Sequence, residues 1–126
     1  MKVKVIKYFF LGFTIGLAYW LLSPVLFGKY EPWDYSLTLY WIIISVAGLT
    51  VGLLAGKYFW ISIIGIYFGQ VIVAVLRPQT EAMENTPLLL GLFALALYSF
   101  PAILGALLGW GTKCLYVRKR KHNESN

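Results

Sequence analysis

The chain has 126 residues, 60% hydrophobic and 13% charged, with a formal net charge of +6. Soluble domains carry about 25% charged and 45–50% apolar residues, and so short a chain has too much surface to hide this apolar excess. A soluble globular domain is thereby excluded, and lipid is the expected solvent. The eleven Lys and Arg gather at segment ends rather than in a stripe, which argues against nucleic acid as a partner, and a single Cys and a single His leave neither a disulfide framework nor a metal-ligand cluster.

The first apolar segment covers residues 5–27. Its start, MKVKVIKYFFLGFTIGLAYWLLSP, has the charge and apolar run of a signal peptide. The run is too long, however, and no small-x-small cleavage site follows, so an uncleaved membrane span is expected. A polar loop, GKYEPWDY, separates it from a second segment at 36–55. From Leu39 to Leu76 the only charged residue is Lys57. An unbroken helix of that length would reach about 57 Å at 1.5 Å per residue, nearly twice the hydrocarbon thickness of about 30 Å. The chain must therefore fold back at AGKYFW, where Gly56 can adopt positive φ and end the helix. That leaves a third segment at 58–76, antiparallel to the second. After the polar loop RPQTEAMENTP comes a fourth at 88–112, in which Pro101 removes the bond to the Leu97 carbonyl and predicts a kink. The expected domains are thus a transmembrane unit, 1–117, and a basic tail, 118–126, expected to be disordered.

The fold class is therefore all-α, with four transmembrane helices in an antiparallel bundle. An even number of spans puts both termini on one side, together with Lys2, Lys4, Lys7, Lys57, Lys113, Arg118, Lys119, Arg120 and Lys121. The other side holds Lys29 and Arg77 with Glu31, Asp34, Glu81 and Glu84. The positive-inside rule then makes both termini cytoplasmic, in the plasma membrane. Aromatic residues near segment ends, among them Tyr8, Tyr30, Trp33, Tyr35, Tyr40, Trp41, Tyr58, Trp60, Trp110 and Tyr116, read as interfacial belts. Arg118, Lys119, Arg120 and Lys121 should contact anionic lipid.

Every segment contains glycines four residues apart: Gly12 and Gly16, Gly48, Gly52 and Gly56, Gly65 and Gly69, Gly105 and Gly109. Such pairs leave a smooth helix face, and close backbone packing associates helices in lipid, where burial of apolar surface does not. The four grooves can be matched within one bundle. Alternatively some face a partner subunit or a second copy, the second segment being the best placed for this.

No ionisable residue falls clearly within a segment, which argues against a proton relay. The only His, His122, is in the tail, so no nucleophile–base arrangement is available and no enzymatic activity is expected. No metal or cofactor is implied. Gln70 is the most polar residue within a segment, about 10 Å below its outer end by helical rise. Tyr19, Ser45, Tyr67, Tyr98 and Ser99 fall at comparable depth, and the Gln70 amide could bond the carbonyl freed by Pro101. Interhelical hydrogen bonding is the plainer role for this layer, and a small polar cavity the sharper one. Two functions follow. One is an accessory, assembly or scaffold subunit; the other is a small oligomeric transporter or channel with a neutral polar path around Gln70.

Overall fold

The computed structural model describes residues 1–29, 32–76 and 88–125. Tyr30, Glu31, Arg77, Glu81 and Glu84, and the side chain of Trp33, lie outside that description. All regular structure among the described residues is helical: α1 (Lys2–Phe27), the single turn α2 (Pro32–Tyr35), α3 (Leu37–Ala55), a 3-10 turn (Gly56–Tyr58), α4 (Phe59–Leu76), α5 (Leu88–Tyr98) and α6 (Phe100–Glu124). Among the described residues three helical stretches are long and apolar enough to cross a membrane, Lys2–Phe27, Leu37–Leu76 and Leu88–Glu124.

Local chemistry sets the boundaries. Gly28 ends α1 at φ 65°, its N–H bonding the Pro24 carbonyl at 3.0 Å. Ser36 caps α3 by accepting the Leu39 N–H at 3.2 Å. Gly56, at φ 57°, breaks the middle stretch. The break reverses the chain, because Tyr40 and Gln70 would be about 45 Å apart along one helix yet are hydrogen-bonded at 2.7 Å. Ser99 separates α5 from α6, since Pro101 has no N–H for the Leu97 carbonyl and the Ala102 N–H turns to Ser99 instead, at 3.0 Å.

Two departures from the sequence reading have physical causes. The basic tail is helical as far as Glu124 rather than disordered. No Gly or Pro lies between Thr112 and Glu124, cations suit the end of a helix, and Arg120 pairs with Glu124 at 3.0 Å. Second, chain neighbours do run antiparallel through the middle hairpin, but the two most intimate interfaces join parallel helices, α1 with α4 and α3 with α6.

The glycines show why. A Cβ placed on Gly12 or Gly16 would land on the carbonyl of Ser62 or Ile66, and one on Gly65 or Gly69 on that of Phe9 or Phe13. Likewise, Gly48 and Gly52 lie against the carbonyls of Ala102 and Ala106, and Gly105 and Gly109 against those of Ser45 and Leu49. Contact numbers rise together on both helices, so each pair is parallel. Each is also two-fold symmetric. The offset of 53 residues relating Gly12 to Gly65 also relates Phe9 to Ser62 and Phe13 to Ile66. An offset of 57 does the same for Gly48 and Gly105, Ser45 and Ala102, Leu49 and Ala106. Gly56 belongs to the turn and not to a groove, with the Lys113 side chain beside it.

The pairs then lie against each other through an apolar core of Tyr40, Ile44, Val51, Ile66, Ala102 and Ala106. Trp20, Val73 and Leu95 form a smaller cluster. Substitution of Gly12 or Gly48 by Ala forces two backbones apart and should destabilise the fold by about 1–3 kcal/mol, the usual range for overpacking. Gly111→Ala, which meets open space, should not destabilise it. Reversible denaturation in mixed micelles measures both.

Candidate functional site

The main polar feature inside the molecule is built from one side chain on each of α1, α3 and α4, with a fourth from the α5–α6 junction. Gln70 is 0% exposed. Its Oε1 accepts the Trp20 indole N–H at 3.0 Å and the Tyr40 hydroxyl at 2.7 Å. Its Nε2 donates to Ser99 Oγ at 3.4 Å, and the Tyr40 and Ser99 hydroxyls lie 3.5 Å apart. Two donors occupy the two lone pairs of one carbonyl oxygen, so the acceptor is saturated.

Each partner is placed by its helix. Trp20 is one turn beyond Gly16, on the face of α1 that meets α4. Tyr40 is one turn before the buried Ile44, on the face of α3 that continues through Gly48. Ser99 sits at the helix break that Pro101 imposes, and the break turns its hydroxyl toward Gln70. The Gln70 amide thus meets Ser99 Oγ, not the Leu97 carbonyl suggested by the sequence.

The expected polar layer is only partly assembled. Gln70 and Ser99 come together. Tyr19 stands at its edge, its ring stacked on that of Tyr40 with centroids 5.7 Å apart. Tyr67 instead ties α4 to α5, its hydroxyl donating to the Leu92 carbonyl at 3.1 Å. Tyr98 packs on the apolar core, and the Ser45 carbonyl lies in the Gly105 contact. Sequence reasoning missed Trp20 and assigned Tyr40 to an interfacial belt. The i+4 continuation of the glycine faces is the signal that would have found both.

Ser62 adds a further tie, donating to the Tyr8 carbonyl at 2.8 Å. Of the basic run, Arg118 and Lys121 border a cleft with Lys57 and Lys113, while Arg120 is engaged with Glu124. Among the described residues no group of three His, Cys, Asp or Glu could hold a metal ion. Comparison with known protein families, curated proteins and solved structures finds no match.

Chemically, the Gln70 cluster is a fastener. It is neutral, and among the described residues no buried side-chain N or O lacks a partner. Interhelical bonds in membranes contribute about 0.6–2 kcal/mol each. Gln70→Leu should therefore cost about 1–3 kcal/mol, because it removes the buried acceptor shared by the Trp20 and Tyr40 donors. Tyr40→Phe should add little on top of it, and a double-mutant cycle should show coupling of about 0.5–2 kcal/mol.

Proposed function

We propose that the protein is a four-span integral membrane protein of the plasma membrane, with both termini cytoplasmic, acting as an accessory, assembly or scaffold subunit. The observation that carries this reading is the buried Gln70 cluster, whose carbonyl oxygen is saturated. Gln70 accepts from Trp20 and Tyr40 and donates to Ser99, so one amide joins side chains drawn from every long helical stretch, as a packing role requires. A polar path around Gln70 draws less support, since that side chain is fully buried and its carbonyl oxygen already accepts two bonds.

Three contacts support the orientation by collecting the basic residues at one end. Tyr8 stacks on Tyr58 at 5.9 Å, Phe59 on Trp110 at 5.6 Å, and Lys113 Nζ donates to the Leu54 carbonyl at 3.1 Å. Lys7, Lys57 and Lys113 thereby share an end with the basic run that follows. The break at Gly56 supports reading the middle stretch as two spans.

Cys114 is exposed and is the only thiol in the chain, so it reports the orientation. A membrane-impermeant maleimide should label it in inside-out vesicles and not in right-side-out ones; the reverse pattern would overturn the topology. The native mass of the protein extracted in its own lipids tests the role. A stoichiometric complex with a different membrane protein supports the accessory reading. A homo-oligomer whose solute flux is lost in Gln70→Leu would replace it with transport.

A further inference from the structure

At the end of the bundle that holds the α3–α4 turn lies an open cleft of about 450 Å³. Lys57 from the turn and Lys113, Arg118 and Lys121 from α6 border it, and Trp110 and Val117 give it an apolar floor. We propose that this cleft is a headgroup site for an anionic glycerophospholipid, with the cations on its phosphate and the apolar floor along the start of an acyl chain.

The charges converge from two separate elements, which a diffuse basic tail does not require. Among the described residues no carboxylate lines the cleft. The only acid on α6, Glu124, is held by Arg120 at 3.0 Å, so the cleft has no counterion from its own helix. Lys113 is fixed by its bond to the Leu54 carbonyl, and an ammonium keeps two further N–H donors after one is used. The Trp110 ring is held by its stack on Phe59. Helicity through Glu124 repeats the side chains of α6 each turn, and Lys113, Val117 and Lys121 line up along one face. Lys119 and Arg120 do not line the cleft. A free phosphate would satisfy the cations but leave the apolar floor wet, whereas a lipid matches both. Basic pockets at the cytoplasmic side of membrane bundles bind anionic headgroups in this way. The inference rests on the membrane reading above for the leaflet that supplies the lipid.

The test compares two variants of equal charge. The full-length protein is reconstituted in nanodiscs of phosphatidylcholine with phosphatidylglycerol, released gently, and its retained lipid counted by native mass spectrometry. Arg118→Gln/Lys121→Gln should lower phosphatidylglycerol retention about tenfold, while Lys119→Gln/Arg120→Gln changes it less than about twofold. Lys57→Gln, on a different element, should also lower retention. Equal losses from the two double variants, or no loss from the first, would overturn the site in favour of diffuse attraction. Displacement of the lipid by inorganic phosphate alone would overturn the lipid as occupant. Cys114 also lines the cleft, so orientation is read from Ser125→Cys in a Cys114→Ser background: if that thiol labels from the outer side while the double variants still differ, the orientation fails and the site stands.

Discussion

The structure depends on backbone touching backbone. In water, helices meet because apolar side chains leave the solvent; in lipid that gain vanishes, since the tails are as apolar as leucine. What remains is dispersion, weak Cα–H···O contact and a small number of hydrogen bonds, all of which decay steeply with distance. Glycines at four-residue spacing bring α1 onto α4 and α3 onto α6 closely enough that a single added carbon meets a carbonyl.

The polar cluster follows from that approach. Trp20 reaches Gln70 because the Gly16 contact, one turn away, has already drawn α1 against α4. Tyr40 and Ser99 lie on the other pair, so their bonds to Gln70 cross from one pair to the other. The grooves therefore assemble each pair, while the cluster and the apolar core around Tyr40 and Ile44 hold the pairs together. A buried Gln with a single arrangement of donors also fixes register, which smooth apolar faces alone specify weakly.

The helical content and its breaks at Gly56 and Pro101 were legible because composition, hydropathy and turn residues act locally. The glycine spacing was legible as well, but its partner was not: all four grooves read alike, and only the folded chain selects parallel pairs. The same limit applies to the site. Gln70 stands out as a polar residue in an apolar run, whereas Trp20 and Tyr40 look like any other aromatics near a span end. Depth along the helix suggested an interface for Tyr40, but its ring, on the face shared with Ile44, points inward. The tail, expected to be disordered, is helical as far as Glu124, where no Gly or Pro interrupts the run.

A two-fold contact between parallel helices is the geometry of a homodimer, and here one chain carries both halves. Helices α1 and α3 correspond to α4 and α6 through the offsets of 53 and 57. Joining the halves in tandem frees them from identity. The position equivalent to Gln70 is Leu17, that of Trp20 is Val73, and that of Tyr40 is Leu97. Two identical helix pairs would have to bury two glutamines and two tryptophans about the axis. Among the described residues the tandem chain buries one of each, and a single amide bridges the two pairs.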